Sequence, residues 1–126
     1  MGPIHLFDLA SQQARWLSTR QIAVAENIAN ANAPGYKAAD VPPFEAVFND
    51  SGFTMTATNT AHIGVDSSAP DAVPVTEASA WEVSRSGNSV SLDQELLKSG
   101  EVTTAASLNR TIVKAFNQML MTSLKG

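Results

Sequence analysis

From Ile4 to Asn32 the chain repeats apolar residues on a heptad, then stops at Pro34-Gly35. Phe7, Ala14, Gln21 and Ile28 take the first heptad position; Ala10, Leu17, Val24 and Ala31 take the fourth, so seven of the eight are apolar. Four heptads of this kind predict one long amphipathic helix whose seam needs a partner. At 1.5 Å rise per residue it would run roughly 43 Å. Pro3 suits its start, and Ser11, Gln12, Arg15, Ser18, Arg20 and Glu26 occupy its other faces. Gln21 is either a tolerated polar site or a register-setting device.

The stop is built from ordinary chemistry. The residue before a proline is pushed out of the α region, so the helix should end near Asn32. Ala33-Pro34-Gly35-Tyr36 then fits a type II turn, with proline presetting φ and glycine supplying a positive φ. Asn27, Asn30 and Asn32 crowd the helix end, where short side chains can bond free backbone groups locally.

A second helix is expected over residues 91–124. Ser91 and Gln94 have capping-box spacing, and Asp93 and Glu95 suit the positive helix start. Its stripe is Val102, Ala105, Asn109, Ile112, Phe116 and Met119, flanked by Leu96, Leu108, Leu120 and Leu124. Gly100 costs about 1 kcal/mol against alanine and would mark a bend or a frayed section. Lys125 and Gly126 suit a helix C-terminus.

Between the helices the chain changes character. Residues 36–48 leave the turn in an extended path, which Pro42-Pro43 enforces locally, and Phe44 to Phe48 could form one short helical turn with both rings on one face. Of the 41 residues from 49 to 89, 23 are Ser, Thr, Asn, Asp, Gly or Pro, a loop composition. Short β-like runs occur at Thr54–Thr58, His62–Val65, Val73–Val75 and Trp81–Val83. These predict a loose β-hairpin subdomain, or disorder until a partner is present.

The expected fold is therefore mainly α and forms one structural unit. Residues 1–35 and 91–126 are long terminal helices paired as an antiparallel coiled coil. Residues 36–90 are a polar, loop-rich insert with short strands. A lone pair leaves apolar flanks open, including Leu6, Leu9, Trp16, Ile22 and Leu97, which marks an interface.

Charge and composition exclude several functions. The net charge is −4, with residues 1–35 neutral, 36–90 at −5 and 91–126 at +1. No basic stripe exists, so nucleic acid is not an expected partner. There is no cysteine, and no run approaches the eighteen or so apolar residues of a membrane span. Met1-Gly2-Pro3-Ile4-His5 is not followed by a signal-peptide core, so any export should need no cleaved signal. His5 and His62 stand far apart, and the seven glycines are dispersed. No catalytic, metal or cofactor site is expected.

Two words carry a family resemblance. The first, Asn27-Ile28-Ala29-Asn30-Ala31-Asn32-Ala33-Pro34-Gly35-Tyr36-Lys37, resembles the N-terminal signature of flagellar rod, hook and axial proteins, though Ala33 stands where threonine is commoner. Asp40-Val41 and Phe44 follow it. The second is Gly87, Asn88, Val90, Leu92 and Glu95, which resembles the Gly-Asn-Asn-Val-Asp-Leu-x-x-Glu pattern of proximal rod members, with Ser89 and Ser91 replacing Asn and Asp. Thr58 to Ile63 is similar to the family's mid-chain Thr-x-x-x-His word. Small size and the absence of tyrosine between Ala105 and Asn109 also fit the proximal rod.

The resemblance implies a structural subunit of the proximal rod of the flagellar basal body. Such a subunit is exported by the type III apparatus without a cleaved signal. It polymerises through its terminal helices into the drive-shaft tube between the MS ring and the distal rod and hook. Implied partners are further copies of itself, rod proteins of the FlgC and FlgF type, the adaptor FliE, the MS-ring protein FliF and the export gate. Phe44 and Phe48 resemble the short aromatic motif read by that gate; two rings packing on the helices is the other reading. A helical adaptor or secretion chaperone, and more remotely a cell-wall enzyme, are the competing classes.

Overall fold

The computed structural model describes residues 3–50 and 73–126. The order is α1 (Pro3–Ala29), β1 (Ala39–Asp40), α2 (Phe44–Asp50), β2 (Thr76–Glu77) and α3 (Leu92–Lys125). The protein is mainly helical, and α1 packs along α3. The Phe7 and Phe116 rings meet edge to face at 5.5 Å. Asn109 Nδ2 donates to Gln13 Oε1 at 2.8 Å and to the Ala10 carbonyl at 3.1 Å. Further along, Arg20 reaches Glu101 at 3.1 Å and Asn27 reaches Glu95 at 3.1 Å. The partners thus run in opposite order along the two helices.

The apolar core is thin. Among the described residues the buried apolar set is Leu17, Ala23, Val24 and Val102, with Ala38 and Val41 from the connecting segment. The seam departs from the heptad reading by one residue on alternate turns. Ala14 and Gln21 are exposed and Ile28 is 41% exposed, while Gln13, Arg20 and Asn27 turn toward α3. On α3, Ile112 (45%) and Met119 (61%) face outward, and Val113 and Leu120 are the half-buried residues instead. Two causes combine. A straight helix drifts about 20° per heptad away from a 3.5 repeat. An apolar count also passes over polar residues that complement each other across the seam.

α1 ends at Ala29, earlier than Asn32, because the chain tightens into turns: Asn30 N–H bonds the Glu26 and Asn27 carbonyls, and Ala31 N–H bonds Ile28. Tyr36 N–H then bonds the Ala33 carbonyl at 3.3 Å across Gly35, whose φ is +72°, as a type II turn requires. α3 runs through Gly100 without a break. The expected capping box does not form. Ser91 is the N-cap with no side-chain cap bond, and Gln94 Nε2 donates to the Ser79 carbonyl at 3.1 Å.

β1 and β2 pair antiparallel, Ala39 opposite Glu77 and Asp40 opposite Thr76. The Ala78 N–H extends the ladder to the Ala38 carbonyl at 2.8 Å. Neither Val73–Val75 nor Trp81–Val83 is a strand, and Trp81 is largely exposed. The runs at Thr54–Thr58 and His62–Val65, and the word Thr58 to Ile63, lie outside the described residues. α2 docks on α1 through Trp16, whose Nε1 donates to the Pro42 carbonyl at 2.8 Å and whose ring meets Phe44 at 5.9 Å. Among the described residues no helix is long and apolar enough to cross a membrane.

Candidate functional site

The two words of the sequence meet in one joint where α1 ends and α3 begins. Asn27, fully buried, is its centre. Its side-chain amide behaves like a neighbouring strand's peptide group. Nδ2 donates to the Ala39 carbonyl at 2.7 Å, and Oδ1 accepts the Ala39 N–H at 2.9 Å. Nδ2 also donates to Glu95 Oε2 at 3.1 Å, and Oδ1 accepts the Tyr36 hydroxyl at 3.3 Å. All four bonds an asparagine side chain offers are therefore made.

Asn88 performs the same task from the other word. Its Nδ2 donates to the carbonyls of Asn30 at 2.9 Å and Ala33 at 2.7 Å, satisfying acceptors freed where α1 unwinds. Its Oδ1 accepts the Val90 N–H at 2.8 Å. Backbone bonds lace the words together: Gly35 N–H to Ser86, and Ser89 N–H to Tyr36. The Ser89 hydroxyl accepts the Ala38 N–H at 2.8 Å. Gly87 has φ +82° and packs against Gly35, since a Cβ there would lie 3.5 Å from the Gly35 Cα.

A chain of charges extends from the joint along the helices. Lys98 Nζ lies 3.2 Å from Glu95 Oε1 and 3.2 Å from Asp40 Oδ2. Asp40 Oδ1 accepts Arg20 Nε at 3.2 Å, and Arg20 Nη1 reaches Glu101 at 3.1 Å. Glu95 is fully buried and Lys98 nearly so. Among the described residues no buried side-chain nitrogen or oxygen lacks a partner.

Burial pushes the Asp40 carboxyl up, but the Val41 N–H, the Arg20 guanidinium and Lys98 outweigh it and hold its pKa below the ordinary value. A carboxylate with a depressed folded pKa adds stability that is fully present above its unfolded pKa of about 3.9 and lost as pH falls through the folded value. The urea midpoint should therefore drop as pH falls from about 4 through that lower value. Asp40→Asn should lower the midpoint at neutral pH and flatten the acid limb. An unchanged limb in the variant would remove Asp40 from the account.

The remaining motif residues divide by face. Asn30 is half-buried and its Nδ2 bonds the Glu26 carbonyl at 2.8 Å; Val90 is half-buried. Ile28, Asn32, Pro34 and Leu92 are exposed. The Phe44 and Phe48 rings lie tilted to each other, 6.1 Å apart on α2, away from the joint. Sequence reasoning missed Arg20, Asp40, Ser89, Lys98 and Glu101 as members of the network. The available signal was Lys98 lying three residues after Glu95, on one helix face. Among the described residues there is no group of three or more His, Cys, Asp or Glu placed to hold a metal ion.

A long helix pair, closed at one end by a buried hydrogen-bonded joint, defines a mainly helical protein. The chain is 44% identical over 130 residues to the flagellar basal body rod protein FlgB of Agrobacterium fabrum, covering 99% of this chain and 96% of that protein. It belongs to the FlgB family of flagellar basal-body rod proteins. No protein-family model matches the chain.

Proposed function

We propose that this chain is a structural subunit of the proximal rod, polymerising through α1 and α3 into the shaft between the MS ring and the distal rod and hook. The near full-length identity to FlgB carries this reading. It also counts against an adaptor or secretion chaperone. In this proposal α1 and α3 form the antiparallel coiled-coil core, and residues 36–90 are the insert carried on it. The exposed Leu96, Leu97, Leu108, Ile112 and Met119 are the surface that neighbouring subunits cover. Ile28, Asn32, Pro34 and Leu92 present the motifs to those neighbours, while Asn27, Asn30, Gly35, Tyr36, Gly87, Asn88, Val90 and Glu95 hold the joint. The partners are further copies, FlgC- and FlgF-type rod proteins, FliE and FliF. The site of action is the periplasm-spanning rod, reached by type III export without a cleaved signal.

Circular dichroism with sedimentation tests the reading. The isolated chain should gain helix and mass when mixed with its rod neighbours and adaptor. A discrete helical dimer indifferent to them would overturn it. Export recognition through Phe44 and Phe48 is part of the same proposal. Replacing both with alanine should abolish secretion. Normal secretion with failed assembly would assign the rings to packing on Trp16.

A further inference from the structure

A helix pair with an aliphatic seam does not define its own alignment. Ala10, Leu17 and Val24 recur every seven residues on α1, and the attraction they supply is non-directional. Sliding α3 by one heptad, about 10 Å along the axis, leaves these residues an apolar surface to meet. The slide parts the Phe7 and Phe116 rings and pulls on the joint where Asn88 and Ser89 meet the end of α1, and its largest cost is polar. Gln13 leaves Asn109, Arg20 leaves Glu101, Asn27 leaves Glu95, and Lys98 leaves Asp40. Asn27 and Glu95 are fully buried, so a misaligned pair strands groups that cannot reach water.

We infer that this ladder of three polar contacts, braced by the Lys98–Asp40 bridge, is the register lock of the helix pair. The apolar seam holds the helices together. The ladder selects one alignment from those the heptad permits, a use of buried polar groups known from coiled coils. Gln21, the residue the heptad offers for this role, is exposed and takes no part. Because Asp40 lies on β1, the lock also ties the alignment to the seating of the connecting segment. The inference rests on the pair itself and stands whether or not the rod assignment does.

The chain has no cysteine, so Ser18→Cys with Lys114→Cys, both exposed, accepts two spin labels cleanly. Pulsed electron paramagnetic resonance on the full chain then reads the axial offset between the helices. Glu95→Leu with Lys98→Met removes the Asn27 rung and the Lys98–Asp40 brace, and leaves Asn27 bonded to Ala39 and Asp40 bonded to Arg20. The intact lock should give one distance. The chain with its lock weakened in this way should stay helical and add a second distance displaced by about 10 Å. That population should rise about tenfold, equal to about 1.4 kcal/mol of lost discrimination. Gln13→Leu with Asn109→Leu removes the ladder's far rung, outside the joint, and is read in the same way. A single unshifted distance in every variant that remains helical would overturn the lock.

Discussion

Asn27→Leu should destabilise the protein by about 3–5 kcal/mol, because leucine matches the size of asparagine but strands the Ala39 N–H, the Ala39 carbonyl and Glu95 together. The net stability of a small domain is about 5–15 kcal/mol, so this one change removes much of it. Equilibrium urea unfolding measures the loss directly. Asn27→Asp should do no better at neutral pH. It cannot donate to the Ala39 carbonyl, and it places a second carboxylate where the amide now meets Glu95. A loss under about 1 kcal/mol for Asn27→Leu would mean that the joint is held elsewhere.

Lys98→Met should cost about 3 kcal/mol or more, since it leaves Glu95 fully buried without its cation and takes one partner from Asp40. Adding Glu95→Leu to that variant should restore most of the loss. The two charges solvate each other, and removing both takes away the desolvation penalty along with the attraction. The double change therefore falls well short of additivity. Additive losses in urea unfolding would show that Glu95 and Lys98 contribute separately, and the charge chain would lose its meaning.

Both effects sit in the half of the seam that the heptad did not reveal. Leu17, Val24 and Val102 were legible because apolar periodicity reports where water is excluded. Gln13, Arg20 and Asn27 were not, because a polar side chain reads as surface until its complement on the other helix is known. That complement depends on the alignment of two segments far apart in the chain. Asn27 was singled out, but as a local helix-end bonder. Its actual bonds reach twelve residues ahead to Ala39 and sixty-eight ahead to Glu95. The Pro34-Gly35 stop was readable because turn chemistry is local. The two-residue strands were not, since nothing in Ala39-Asp40 or Thr76-Glu77 alone distinguishes a ladder from extended chain. Gln94 illustrates the same limit: its spacing from Ser91 promised a cap, and a nearby carbonyl at Ser79 took its amide instead.

The chain leaves the helix pair beside Ala38 and returns beside Ala78, with a backbone bond between the two points. The two ends of the connecting segment are thus clasped together. For flexible residues added beyond such a clasp, the cost of length grows logarithmically, about 0.6 kcal/mol per doubling. The clasp therefore insulates the α1–α3 pair from length added beyond it.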